Sequence, residues 1–159
     1  MKRKILNPYN KLEEHECFAC SDHNPIGLKM EFYEEDGLIK CDWQPEKQFQ
    51  GYHTVIHGGI QATLLDEIGS WCVQVKLNTA GVTRNLDLKY RKPLIVDQGK
   101  VTITSELIEV NRSLASIKLQ IFDSKGVLCT EGTVEYFIFS EEMANKKLYY
   151  PGAEAFFEK

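Results

Sequence analysis

The chain has 159 residues, of which 43% are hydrophobic and 26% are charged, and its formal net charge is −4. This size and balance fit one globular domain with a sizeable core, so we expect a single domain over residues 1–159. The negative charge argues against nucleic-acid binding through phosphate neutralisation. No apolar run reaches membrane-spanning length and no secretory signal pattern is visible, so neither nucleic acid nor a membrane is an expected partner.

Five cysteines are scattered along the chain, at positions 17, 20, 41, 72 and 129. An odd, scattered set is more typical of reduced thiols in a reducing compartment than of a disulfide framework. Together with the missing signal pattern, this favours a cytoplasmic protein.

Residues 1–27 are polar and rich in turn formers, which predicts an irregular N-terminal arm on the surface. Within the arm, four residues that can ligate zinc follow one another at short spacing, namely His15, Cys17, Cys20 and His23. The spacing differs from the common zinc-finger patterns, and no second ligand pair closes a loop. We therefore favour thiols packed within the N-terminal segment and predict no metal.

A β-hairpin is predicted in residues 28–43, because apolar residues alternate on both sides of a turn at residues 35–37. Residues 44–56 then carry Pro45 and Gly51. They predict a loop that leads into the next element and can form one wall of a pocket.

The one long helical signal runs from His57 to Val75, where apolar residues recur at steps of three and four and form a broad stripe. A helical wheel places Asp66 nearly opposite that stripe, on a second face of small residues. Such a face permits close approach by a ligand or by another subunit. Glu67 lies about 100° further round the helix and is interpreted as structural.

The sequence His57-Gly58-Gly59 opens this helix with two residues that lack a Cβ atom. The N–H groups of the first turn have no partner inside a helix and can receive an anion or an oxyanion. His57 can act as a general acid, shape the loop by hydrogen bonding to the backbone, or cap the helix. Structural support is the favoured role.

Four further strands are predicted from alternating apolar residues, at residues 82–91, 101–107, 115–121 and 128–138. Short turns would join them into an antiparallel meander, and Val82 and Leu86 would face away from Thr83. The elements together predict an α+β fold in which a curved sheet of about six strands wraps around the helix. The uncovered edges of that sheet favour pairing with another copy.

Residues 140–159 form a C-terminal extension that is too aromatic for a free tail. Its aromatic residues are Tyr149, Tyr150, Phe156 and Phe157. We expect the extension to dock on the body of the protein or on a partner subunit.

Several short motifs follow one another over residues 17–139. They are Cys17-x-x-Cys20 with Asn24-Pro25, then Phe49-Gln50-Gly51, His57-Gly58-Gly59, Asp66 nine residues after His57, Gly81-Val82-Thr83 and Tyr90-x-x-Pro93. Together they resemble the hotdog-fold acyl-CoA thioesterases of the phenylacetate-pathway, PaaI-like type. In that family the subunits pair so that their sheets join, with two active sites at the interface.

The resemblance implies a catalytic set for this chain. Asp66 would be the general base or nucleophile towards a thioester carbonyl, Thr83 would help to orient it, and His57 would support the site. The N–H of Gly58, together with that of Gly59, would polarise the thioester oxygen from the neighbouring subunit. A homodimer, or a homotetramer built of two dimers, is expected. No cofactor is expected, because coenzyme A is part of the substrate.

Substrate-binding residues follow from the same resemblance and from charge. Gly51 stands where some family members carry an asparagine near the thioester, so Gln50 is the candidate to replace that donor. Basic side chains suit the phosphates of coenzyme A. The candidates are Lys89, Arg91, Lys92 and, in a turn between two strands, Arg112.

Two other functions stay open on the sequence. The hotdog scaffold could bind acyl-CoA without acting on it, because a fold does not determine function. It could also carry a hydratase or dehydratase, which would need His57 and Asp66 to converge on the β-carbon of the acyl group. The spacing from His57-Gly58-Gly59 to Asp66 favours the thioesterase.

Overall fold

The computed structural model describes residues 1–159 and consists of one antiparallel sheet around one long helix. The strands are β1 (Arg3–Ile5), β2 (Phe32–Glu35), β3 (Leu38–Trp43), β4 (Gly81–Tyr90), β5 (Val101–Asn111), β6 (Leu114–Phe122) and β7 (Leu128–Ile138). The helices are α1 (Gly58–Leu77) and α2 (Glu141–Leu148). Three short 3-10 helices complete the fold, at Pro8–Lys11, Lys47–Phe49 and Ala153–Phe156. Neither α-helix has the length and apolarity needed to cross a membrane.

The long helix α1 forms where the apolar period predicts it and lies at the centre of the core. It begins after His57 and ends at Asn78, whose φ of 53° is a left-handed conformation that asparagine tolerates. The expectation of an open face of small residues is wrong at Gly69, which is buried against β7. A Cβ atom on Gly69 would lie 2.8 Å from the side chain of Val134, so this glycine lets the helix approach the sheet closely.

The sheet has seven strands in the order β1-β2-β3-β5-β6-β7-β4, and all neighbours are antiparallel. The β2–β3 hairpin confirms the sequence prediction. The predicted four-strand meander is wrong, because only β5, β6 and β7 follow one another, while β4 pairs with β7 at the edge.

The segment between β4 and β5 explains this departure. Residues 91–100 do not form a tight turn but pair with the loop that precedes α1. The N–H of Ile56 donates to the carbonyl of Leu94 at 2.8 Å, and the N–H of Val96 donates to the carbonyl of Thr54 at 2.8 Å. The chain therefore crosses the end of the sheet before β5 begins.

The two ends of the chain are packed against the body of the protein. For the N-terminal arm this differs from the prediction of an irregular surface segment. Strand β1 pairs with β2 and becomes the seventh strand, while Ala19 and Cys20 are buried. The C-terminal extension docks on the body of the same chain, where the ring of Phe156 meets that of Trp71 on α1 edge to face, with centroids 5.6 Å apart. The N–H of Leu6 donates to the carbonyl of Phe156 at 2.8 Å, so a backbone hydrogen bond joins the N-terminal and C-terminal segments.

A β-bulge in β4 changes which side chains face the helix. The register with β7 shifts between Thr83 and Asn85, and a bulge breaks the alternation of faces. Thr83 pairs with Tyr136, and Leu86 pairs with Val134, so Thr83 and Leu86 share the helix-facing side. The predicted opposite orientation of Thr83 and Leu86 is wrong for this reason. With its curved sheet covering α1, the molecule has the predicted α+β hotdog arrangement.

Candidate active site

The side chain of Asp66 is half-buried and held by two hydroxyl groups from the sheet. Its Oδ1 accepts a hydrogen bond from Thr83 Oγ1 at 2.8 Å and one from the Tyr136 hydroxyl at 2.8 Å. The same tyrosine hydroxyl also contacts the backbone carbonyl of Asp66. Oδ2 accepts no hydrogen bond from the chain. The carboxylate therefore has a fixed orientation and one oxygen free to act on a bound molecule.

Three features of the local fold bring these groups together. Thr83 and Tyr136 are cross-strand partners on β4 and β7, and the bulge after Thr83 turns its side chain toward α1. Gly69, one turn beyond Asp66, lets the helix lie close enough for contact, since its Cβ position is 3.1 Å from the Tyr136 hydroxyl. The arrangement depends on contacts between residues 17 and 70 positions apart.

Tyr136 is the site residue that the sequence reasoning missed. The alternation of residues in the predicted strand 128–138 makes it an apolar member of that strand, and it is 1% exposed. A tyrosine at an inward-facing strand position needs a partner for its hydroxyl, and that requirement is the signal that could have identified it. Burial, with the nearby Asp66 carboxylate, raises the pKa of Tyr136. The hydroxyl of Tyr136 therefore stays protonated at neutral pH and can donate a hydrogen bond to Asp66.

The start of α1 carries the second part of the candidate site. His57 caps the helix, because its Nδ1 accepts the N–H of Gly59 at 2.8 Å. The amide of Gly59 is therefore already engaged, contrary to the expectation that it faces a ligand. The N–H of Gly58 stands at the first helical position, where no partner exists inside the helix. The carbonyl of Gly58 accepts a hydrogen bond from the Tyr90 hydroxyl at 2.7 Å.

The loop before the helix explains the glycine at position 51. A Cβ atom on Gly51 would lie 3.2 Å from Cδ2 of His57, so the histidine ring occupies the space of a side chain there. Gln50 uses its Oε1 to accept the N–H of Thr54 at 3.0 Å. In this structure both Gln50 and Gly51 support the shape of the loop.

The candidate phosphate-binding residues lie at two ends of the sheet. Lys89 and Arg91 lie at the end of β4, near Gly58, and Nε of Arg91 is 3.2 Å from Glu131 Oε2. Arg112 lies in the turn between β5 and β6, with φ of 56°, at the end of the sheet where β4 begins. Within one chain these basic groups do not converge.

Gly58 and Asp66 are also separated within one chain. They are eight residues apart on the same helix, which places them about 12 Å apart at roughly 1.5 Å per residue. A carbonyl group attacked at Asp66 is therefore out of reach of the Gly58 amide of the same chain. A site that uses both groups has to draw them from two copies.

The fold places an oriented carboxylate, that of Asp66, beside the exposed sheet edge β4. Comparisons with known proteins concern the sequence and the fold. The sequence model of the thioesterase superfamily matches residues 53–130, which contain Gly58, Asp66 and Thr83. This match covers just under half of the chain, so the chain is similar to the thioesterase superfamily in sequence as well as in fold.

Solved structures show the same fold. The chain is similar to a hypothetical thioesterase from Streptococcus pneumoniae solved with coenzyme A, with 25% identity, a TM-score of 0.64, and coverage of 70% of this chain and 87% of that one. Thioesterase superfamily member 2 of zebra fish shares 22% identity at a TM-score of 0.62, over 69% of this chain and 81% of that one.

A curated relative matches a shorter region. A stretch of 79 residues is 28% identical to FMP10, an uncharacterised mitochondrial membrane protein of Saccharomyces cerevisiae. It covers 48% of this chain and 32% of the yeast protein. The chain thus spans about a third of that relative, and it covers 59% of a further thioesterase superfamily protein of known structure.

Proposed function

We propose that the chain is an acyl-CoA thioesterase of the PaaI-like type in which Asp66 is the general base or the nucleophile. The observation that carries the proposal is the Asp66 carboxylate, which Thr83 and Tyr136 orient while Oδ2 stays free. Hydrolysis of a thioester needs a carboxylate that activates water or attacks the carbonyl carbon directly. Activated water breaks the carbon–sulfur bond and yields the carboxylic acid and the thiol of coenzyme A in one displacement. Direct attack by the carboxylate expels the same thiol and forms a mixed anhydride with Asp66, which water then hydrolyses to the carboxylic acid.

The same reaction needs a donor for the oxyanion that forms on the thioester oxygen. The free N–H of Gly58 at the start of α1 is suited to this, because the helix terminus favours negative charge. Since Gly58 lies about 12 Å from Asp66 of its own chain, we assign the donor to a second copy. The proposed site therefore lies at the interface of a homodimer.

The edge strand β4 supports this assembly. Its backbone is unpaired on one side, and its side chains include the exposed apolar residues Val82 and Tyr90, which are 44% and 52% exposed. Tyr90 contacts Gly58 and Thr83 contacts Asp66. Antiparallel pairing of two β4 edges would set the end of one strand beside the start of the other. It would thereby bring Gly58 of one copy to Asp66 of its partner.

The same pairing would unite the separated basic groups. Lys89 and Arg91 of one copy would lie on the side where Arg112 of the other copy extends. Neither Lys89 nor Arg112 is paired with an acidic group. We therefore assign the phosphates of coenzyme A to basic residues from both subunits, which suits guanidinium and ammonium groups.

The proposal is tested by thiol release from a panel of acyl-CoA substrates with aromatic, short and long acyl groups. A colorimetric thiol reagent follows the release, and acyl carrier protein substrates in the same panel identify the thiol carrier. We expect saturable release from at least one acyl-CoA. Tight binding of acyl-CoA without thiol release would overturn hydrolysis in favour of a binding role. Hydration of an enoyl-CoA without thiol release would overturn it in favour of a hydratase.

A further inference from the structure

Two thiols and a carboxylate meet on the side of α1 that faces the N-terminal arm. Cys17, Cys20 and Glu67 each place one ligand atom within 4.8 Å of the others. Sγ of Cys17 lies 3.6 Å from Oε1 of Glu67, and that oxygen also accepts the indole N–H of Trp71 at 2.9 Å. We refer to Cys17, Cys20 and Glu67 as the thiol–carboxylate cluster.

The thiol–carboxylate cluster contains three groups that are anions when ionised and no cation. None of the ion pairs in the chain involves Glu67. The cluster thus gathers soft sulfur ligands and a carboxylate oxygen around one point, and a divalent cation at that point would offset most of their negative charge.

The surroundings of the cluster provide room and a further nitrogen. Cys17, Cys20 and Glu67 line a cavity of about 830 Å³, and His15 lines the same cavity. Nε2 of His15 is the one buried side-chain nitrogen or oxygen in the chain without a hydrogen-bond partner. The ring nitrogens of His15 lie outside the group of three ligand atoms, so His15 would reach a cation bound there only through a water molecule.

In place of the metal-free interpretation favoured on the sequence alone, we propose that Cys17, Cys20 and Glu67 bind a thiophilic divalent cation, with Zn²⁺ as the best fit, and leave one coordination position open to the cavity. Zinc binds thiolate sulfur at about 2.3 Å and carboxylate oxygen at about 2.0–2.2 Å, so the ligand atoms of a tetrahedral site lie roughly 3.5 Å apart. The ligand atoms of the cluster lie within 4.8 Å of one another, so they would have to draw together around the metal to reach that spacing. Three protein ligands with an open fourth position are a known arrangement for zinc.

Binding has a defined proton balance and a structural consequence. Each thiol loses its proton when its sulfur joins the metal, so one Zn²⁺ releases two protons and the affinity rises with pH. The metal would also link the N-terminal arm to α1, because the cysteines and Glu67 come from segments about 50 residues apart. The site is independent of the proposed hydrolysis, since Glu67 faces the arm and Asp66 faces β4 and β7.

The test uses the whole chain after treatment with a chelator. Zn²⁺ is titrated against a colorimetric chelator to obtain the stoichiometry and affinity, and Co²⁺ is then added in place of Zn²⁺. We expect one equivalent of metal per chain and a thiolate-to-cobalt charge-transfer band in the near ultraviolet. Zn²⁺ should also protect two of the five free cysteines from alkylation.

Matched variants locate the site. Cys17→Ser and Glu67→Gln should each weaken Zn²⁺ binding by about 10-fold or more, and Glu67→Gln keeps an oxygen for the Trp71 indole. Cys129→Ser, which removes a buried thiol elsewhere, and Glu16→Gln, which removes a carboxylate from the same cavity, should bind as the wild type does. Circular dichroism confirms that each variant is folded.

Three outcomes would overturn the proposal. They are the absence of stoichiometric binding, a Zn²⁺ affinity that Cys17→Ser and Glu67→Gln leave unchanged, and a Cys17–Cys20 disulfide that forms even with one equivalent of Zn²⁺ present. The last result would identify the cysteines as a redox pair instead. Each outcome is read from metal and thiol content, so it is separate from any measurement of thioester hydrolysis.

Discussion

Asp66 and Glu67 are consecutive carboxylates on the same helix, and the fold gives them different surroundings. Asp66 is held by Thr83 and Tyr136 on the side of the sheet edge. Glu67 is held by the Trp71 indole and lies beside the Cys17 thiol on the side of the N-terminal arm. A rotation of about 100° per residue is enough to place two adjacent acids in two chemically distinct sites.

The difference shows that the neighbours of a carboxylate decide its chemistry. Around Asp66 the neighbours are hydroxyl donors, which orient an oxygen without neutralising it. Around Glu67 they are thiols, which share its affinity for a cation, together with a cavity of about 830 Å³. The first setting suits a base or nucleophile and the second suits a metal ligand.

The largest effect is expected for Asp66→Asn, which keeps the shape and the acceptor oxygen for Thr83 and Tyr136 but removes the charge. We expect kcat for acyl-CoA hydrolysis to fall by about 10³-fold, because the base or nucleophile is lost. Glu67→Gln in metal-free protein is the matched control and should stay within about two-fold of the wild type. Near-normal turnover by Asp66→Asn would remove this residue from the mechanism.

The next effect concerns the donor assigned to the partner subunit. Gly58→Pro removes the amide at the first helical position, where proline is tolerated, and the extended His57 before it, with ψ of 136°, is compatible with a following proline. We expect kcat to fall by about 10²-fold. Gly58→Ala keeps the N–H and should retain activity, since its Cβ would lie 3.5 Å from the Tyr90 ring, an ordinary contact.

Co-expression of the two inactive chains decides whether the site is shared between subunits. A heterodimer of Asp66→Asn and Gly58→Pro contains one site with both defects and one intact site. Random pairing should therefore restore about a quarter of the wild-type activity. If co-expressed chains are no more active than either alone while heterodimers are present, the shared site is wrong.

A smaller effect is expected for the residues that position Asp66. Thr83→Ala and Tyr136→Phe each remove one hydrogen bond to a charged group, which corresponds to about 1.5–3 kcal/mol, or roughly 10-fold or more in kcat. KM should change little, because substrate contacts stay intact, and Thr83→Ser should recover most of the loss. A rise in KM at constant kcat would instead place Thr83 in substrate binding.

The smallest effect is on stability at high pH. The raised pKa of Tyr136 means that the native state keeps a proton that the unfolded chain loses near the ordinary value of 10.0. Its contribution to the free energy of unfolding is complete below pH 10 and falls above it, by up to about 1.4 kcal/mol per pH unit. Urea unfolding at several pH values should show this decline reduced in Tyr136→Phe. Equal slopes for both proteins would contradict the prediction.

Several parts of the fold were predictable because local patterns determine them. The helix begins after His57 as its capping and glycine signals indicate, and the hairpin follows from alternating residues around Asp36 and Gly37. The meander prediction failed because nothing in residues 91–100 marks a crossover. The pairing of that segment with the loop before α1 is a contact between distant parts of the chain.

The candidate site also combines residues that local motifs identify with residues that only long-range contacts identify. Asp66 and Gly58 could be named from a motif, whereas Tyr136 reads as a core residue until its hydroxyl is seen to reach Asp66. Thr83 was expected to face away from Leu86, and the bulge places both on one side. The four-residue group His15, Cys17, Cys20 and His23 was also incomplete, because His23 is exposed and Glu67, from the helix, takes a place beside the two thiols.

By itself the sequence determined the long helix with its cap, most of the strands, and the carboxylate and glycines that the thioesterase superfamily match contains. These follow from propensity, periodicity and short motifs, all of which act over a few residues. Tertiary structure alone decided the strand order, the side to which Thr83 turns, the hold of Tyr136 on Asp66 and the meeting of Glu67 with Cys17 and Cys20. Those features depend on contacts between residues 17 to 70 positions apart, and such contacts exist only once the sheet has closed around the helix.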